Sequence, residues 1–112
     1  MTNEEECLDR HKRGDGFVRT LVMPDALPDG HFVGYTVDSQ LRNVRDALIA
    51  TFVAAWVDPL TTRQLTLTCI DTTSWPTERL RYDVQFTRTS DAFPISTETV
   101  FIQIDRDETR PV

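Results

Sequence analysis

Asp38-Ser-Gln-Leu-Arg-Asn-Val-Arg-Asp-Ala-Leu-Ile-Ala-Thr-Phe-Val-Ala-Ala-Trp-Val-Asp58 is the longest stretch of the chain with a continuous apolar pattern. Leu41, Val44, Leu48, Phe52 and Ala55 recur at helical spacing, and Ile49, Val53 and Trp56 widen the stripe. Asp38 or Ser39 can cap a first turn, and Asp58-Pro59 stops it. The spacing therefore predicts one amphipathic helix over 38–58. Between Ala47 and Val57 the only polar side chain is Thr51. A helix apolar on all sides must be covered on more than one, by a wrapping sheet or by a second copy of the chain.

The segments on either side read as strands. Phe17–Met23 is rich in β-formers, and His31–Val37 follows a loop containing Pro24, Pro28 and Asp29-Gly30. Gln64–Ile70 alternates with Leu65, Leu67 and Cys69 inward. Arg79–Thr87 alternates with Leu80, Tyr82, Val84 and Phe86 inward, and Thr99–Asp105 with Val100, Ile102 and Ile104 inward. The order β-β-α-β-β-β predicts a two-layer α+β domain, one central helix on an antiparallel sheet of four to five strands. A β-grasp-like arrangement has this order; a hot-dog-like curved sheet around the helix is the alternative. Matching inward faces pairs Cys69 with Tyr82 and Val84 with Ile102, which sets Arg81 opposite Asp105 and Arg79 opposite Asp107.

A chain of 112 residues is long enough for one domain with a real core. Residues 1–14 read as a flexible charged arm, 15–107 as the domain and 108–112 as a polar tail. The acidic start and the shortness of the longest apolar run, 52–57, argue against a secretory leader or a membrane span, and so for a cytoplasmic protein. Two cysteines, Cys7 in the arm and Cys69 in a strand, read as reduced thiols. The net charge of −6 argues against non-specific nucleic-acid binding and suits docking on a basic partner.

Catalytic equipment is sparse. His11 and His31 stand at no ligand spacing, so no metal or cofactor is expected, and no phosphate loop or nucleophile elbow is present. Asp58 and Asp71 at element ends read as turn formers, and His31 with such an aspartate is the one combination suggesting a general base. Two loops place aromatics beside proline, Trp75-Pro76 and Phe93-Pro94, and Phe101 stands among polar neighbours on an outward face. Trp75, Pro76, Phe93 and Phe101 are therefore the candidate protein-binding residues, with Trp75 the favoured anchor. Ile49, Val53 and Trp56 are the candidates for self-association. The expected function is a small acidic, non-enzymatic interaction module, an accessory or antagonist factor of viral, phage or immunity type that binds another protein and forms a homodimer or larger. A structural subunit of a virion or tail assembly is the alternative, and a hot-dog-like or isomerase-like enzyme the second.

Overall fold

The computed structural model describes residues 8–106, and every regular element among them is a strand. In chain order these are β1 (Leu8–Lys12), β2 (Phe17–Val22), β3 (Tyr35–Arg42), β4 (Leu48–Thr51), β5 (Val53–Trp56), β6 (Gln64–Cys69), β7 (Arg79–Arg88), β8 (Pro94–Ser96) and β9 (Val100–Asp105). The α+β expectation is overturned, and with it both the β-grasp-like and the hot-dog-like arrangements, because residues 38–58 contain no helix. Among the described residues no helix is long and apolar enough to cross a membrane.

The expected helix breaks where Asn43 makes a turn. Its side-chain oxygen accepts from the amides of Arg45 and Ala47, both at 2.9 Å, a local alternative that competes with helical bonding. Asp46 completes the turn at φ 67°, a conformation open to aspartate but not to a helix. Val44 and Leu48, placed on the buried helical stripe by their spacing, are 69% and 51% exposed. The true period is two. Leu41 is buried opposite Ala50, and Phe52, Ala54 and Trp56 follow at alternate positions, turned toward the interior. The strand expected at His31–Val37 also moves, to 35–42. Residues 24–34 are turns, held by bonds such as that from Gly30 N to Thr61 O at 2.7 Å.

The strands form two sheets. The first has the order β1-β9-β7-β3-β4, with β8 paired to the far half of β7; the second has the order β2-β6-β5. Their inner faces share one core of Phe17, Leu65 and Leu67 from the second sheet and Leu41, Leu80, Val84, Phe86, Ile102 and Ile104 from the first. On one side the sheets are joined covalently. Residues 48–56 run along β3 as β4, turn at Phe52, whose amide donates to Ser39 O at 2.9 Å, and continue along β6 as β5.

Two register expectations are corrected. β6 and β7 lie in different sheets, so Cys69 does not pair with Tyr82. β7 and β9 pair with inner faces matched, but Leu80 rather than Val84 stands opposite Ile102. Parity restricts a register to even slips and does not choose among them. The choice is made by β8 and β9 following one another along the same edge of β7. Three residues separate Ser96 from Val100 where two separate Gln85 from Tyr82, so the strand bulges. Arg81 accordingly pairs with Asp46 at 2.8 Å, and Asp105 with Arg10 at 2.9 Å; Asp107 lies outside the described residues. Residues 8–12, expected within a flexible arm, form a strand parallel to β9 with His11 buried at its core side. Cys7 and the tail 108–112 lie outside the described residues.

Candidate interaction surfaces

The side of the molecule opposite the Phe52 turn is a seam where β2 of the second sheet faces β1 and β8 of the first. Half of this seam is pinned. Arg19 on β2 donates to the Asp9 carboxylate of β1 at 2.6 Å and to Arg10 O at 3.0 Å, and its guanidinium lies 4.5 Å from the Phe17 ring centroid. Among the described residues the other half is open. A groove of about 360 Å³ there is lined by Leu21, Val22, Met23, Pro24, Leu27, Phe32, Phe86 and Ile95, with Ser96 and Thr97 as its polar members.

Both strands bordering the opening carry outward-pointing backbone groups, most of them without a partner among the described residues; Val18 O accepts from the Arg19 guanidinium at 2.9 Å. Met23 donates to Arg63 O at 2.8 Å, and ladder alternation then turns the N–H and C=O of Val18, Thr20 and Val22 away from β6. On the other border Arg88 donates to Phe93 O and Thr97 to Val84 O, both at 2.9 Å, so the backbone of Ser96 between them faces outward. An edge strand with free donors and acceptors is a template for another strand.

Arg63 builds the wall of the groove. Its guanidinium donates to Leu27 O at 2.6 Å, Met23 O at 3.0 Å and Pro24 O at 3.1 Å, and lies 3.6 Å from both Asp25 and Asp29. One side chain thus satisfies three carbonyls of the 23–27 loop. The groove's Phe32 is held from the same region, its amide donating to Thr62 Oγ1 at 3.2 Å. Thr62 has φ 48°, unusual for a β-branched residue. Nothing in the sequence marks Arg63, one of 11 arginines, as the clamp of a loop nearly forty residues away. Arg63→Ala is expected to cost about 1–3 kcal/mol, as carbonyls lose their partner. Urea titration reads the stability, and protease cutting within 23–30 reads the released loop; an unchanged midpoint would place loop 23–30 under other control.

The outer face of the second sheet is a different kind of surface. Its three rows are Val18, Thr68 and Val53; Thr20, Thr66 and Ala55; and Val22, Gln64 and Val57, the last donating to Gln64 O at 2.9 Å. None of these side chains ionises. Val18, Val22, Val53 and Val57 are between 53% and 68% exposed, and Ile70 past the end of β6 is 83% exposed. No described element covers them. The outer face of the first sheet is the reverse: a shallow polar depression of about 460 Å³ lined by residues including Asp38, Gln40, Arg42, Asp46, Arg81 and Asp83. Asp46 lies between two arginines there, its carboxylate on Arg81 and its carbonyl on Arg42, both at 2.8 Å.

The residues named from the sequence divide between these surfaces and the core. Trp75, expected as an exposed anchor, is 1% exposed among His11, Phe17 and Phe52. Pro76 is half-buried beside it. Phe93 is 53% exposed two residues before Ile95, with the Arg88 guanidinium 5.2 Å from its ring centroid. Phe101 is half-buried on the polar outer face, 5.8 Å from the Arg79 guanidinium. Val53 stands on the uncharged face, whereas Ile49 and Trp56 pack against the core, Trp56 stacked on Phe32 at 5.9 Å. The structure thus does not bring Trp75 and Phe93, or Val53 and Trp56, into one patch.

The candidate chemical groups are dispersed. His31 is exposed against Phe32 and Tyr35, and buried His11 hydrogen-bonds Asp15 O at 2.8 Å. Asp58 accepts from the Leu60 amide and Asp71 from the Thr73 amide and hydroxyl, the bonds of turn formers; those to Thr73 lower the Asp71 pKa. Burial pushes the Cys69 thiol up, with the nearby Asp71 charge adding to it, which weakens it as a nucleophile; its Sγ–H donates to Asp71 O at 3.4 Å. Burial also raises Tyr82, with the nearby Asp9 charge adding to it. No three His, Cys, Asp or Glu side chains among the described residues are grouped to hold a metal. The chain matches no protein-family model, and no curated protein is significantly similar to it.

Proposed function

We propose that this protein is a non-enzymatic interaction module of accessory type, working inside the cell, that captures an extended segment of another protein at the open half of its seam. One observation carries the reading: an apolar groove bordered by strands whose backbone groups point into the opening. At about 360 Å³ the groove is at the small end of the range for ligand pockets, ~300–1,000 Å³. It suits one or two side chains of a longer ligand better than a large cofactor. A segment lying along β2 bonds to the outward-pointing backbone groups of Thr20 and Val22, which have no partner among the described residues, and turns alternate side chains into the groove. Its inward side chains are apolar. The net charge of −6 on the module favours basic residues at its flanks.

The test is selection from a displayed library of random peptides, followed by affinity measurement with one selected peptide. Selected sequences are expected to carry large apolar residues at alternate positions. Ile95→Glu, which puts a carboxylate into the groove from a position 39% exposed, is expected to weaken binding about tenfold or more. Selection of peptides without the alternation, or binding indifferent to Ile95→Glu, would reject the seam as the site.

A further inference from the structure

We infer that the outer face of β2, β6 and β5 is the contact between two copies of this chain, related by a two-fold axis that lies in the contact plane along β6. This goes beyond the seam reading and does not depend on it. Charge points to the occupant. Each copy carries −6, so two copies already repel, and the contact that adds least to this is one where neither presents a carboxylate. The outer face of the first sheet fails that condition, with Asp38, Asp46 and Asp83 on it. The outer face of the second sheet meets it, because its strands present no ionisable side chain outward.

The pattern on the face is also self-complementary. A two-fold axis along β6 lays β2 of one copy over β5 of the other. Val18 then falls on Val53, Val22 on Val57, and Thr66 near the axis on its own counterpart, because each pair shares a row of the sheet. Valine meets valine at all four corners, and packed sheets of this kind stand about 10 Å apart. Three strands at ~4.8 Å spacing and six residues at ~3.3 Å rise give each copy a flat footprint of about 300 Å². Two such footprints fall short of the ~1,200 Å² at which specific, stable interfaces begin. The dimer is therefore a reversible one, formed and lost with concentration.

Sedimentation equilibrium from low micromolar to millimolar concentration tests it. The wild-type mass is expected to rise toward twice that of the chain and stop there. Thr66→Glu brings two carboxylates together near the axis and is expected to stay monomeric with an unchanged far-ultraviolet spectrum. An equimolar mixture with Thr66→Lys is expected to recover the dimer. Should Thr66→Glu fail to fold, Val53→Glu on the edge strand makes the same test from a position 68% exposed. A wild type that stays monomeric at millimolar concentration overturns the inference. So does a folded Thr66→Glu that dimerises like the wild type, a mixture that does not re-associate, or a mass that grows past two copies. Peptide capture by Thr66→Glu and dimerisation of Ile95→Glu are both expected to persist, so a failure of this contact is separable from a failure of the seam.

Discussion

Trp75→Ala is expected to destabilise the protein by about 3–5 kcal/mol, the range for a buried large aromatic cut to alanine. The indole is 1% exposed and closes one end of the core, with ring centroids of Phe17 at 5.5 Å, His11 at 5.6 Å and Phe52 at 6.3 Å. Its loop is tied down as well. Thr72 is fully buried; its hydroxyl donates to Asp15 O and accepts from Gly14 N, both at 2.8 Å, and Trp75 N donates to Thr72 O at 3.1 Å. The Trp75 side chain thus packs on His11 and Phe17 at the two ends of the β1–β2 turn while Thr72 hydrogen-bonds the turn itself. Trp75→Phe keeps part of the ring contact and is expected to cost less than the alanine variant. Urea unfolding followed by circular dichroism measures both. A loss under about 1 kcal/mol for Trp75→Ala would mean the loop, not the indole, closes this end of the core.

The second large effect is expected at Phe52, again about 3–5 kcal/mol for the alanine variant. Phe52 is the residue at which one strand leaves the first sheet and enters the second. Its ring stacks on Phe17 with centroids 4.9 Å apart and meets Tyr82 edge-on at 5.3 Å, so it touches both layers at the corner where they join. Removing it opens a cavity that neither sheet can fill without moving the other. Thermal unfolding followed separately by aromatic and amide signals is the check. A wild-type midpoint for Phe52→Ala would show that the corner is held by its backbone alone.

A burial argument for Phe52 could be made from the sequence, yet for a helix rather than a strand corner, and the reason is physical. A strand shows its period of two only when one face is polar. Along 50–57 the inward residues are Ala50, Phe52, Ala54 and Trp56, and the outward ones include Val53, Ala55 and Val57. With both faces apolar and four alanines in 47–55, the alternation disappears and helical spacing can be found by counting. The uncharged outer face that hides the period is the one assigned to the dimer. Strands with a polar outer face, 64–69, 79–88 and 100–105, could be placed from alternation because Gln64, Asp83, Gln85 and Gln103 mark their outward positions. The groove had no such mark. Leu21, Leu27, Phe32 and Ile95 are far apart in the chain, and only the topology brings them together. Trp75 was visible as an unusual loop residue, but whether a loop aromatic folds inward depends on partners such as Phe17 and Phe52, and on the Asp15 that anchors its loop through Thr72, all far from it in sequence.

The parallel pairing of the first described strand with the last bears on how the chain is made. β9 sits between β1 and β7, and its Ile102 and Ile104 are fully buried. Until residues 100–105 have cleared the ribosome, β1 has no neighbour in its sheet and the Leu80 end of β7 is an open edge. The β3–β7 and β2–β6–β5 pairings can form on the nascent chain, but the core cannot close around them. Closure of the described core therefore waits for β9, and a chain stalled before Val100 leaves β1 unpaired and the Leu80 end of β7 an open edge.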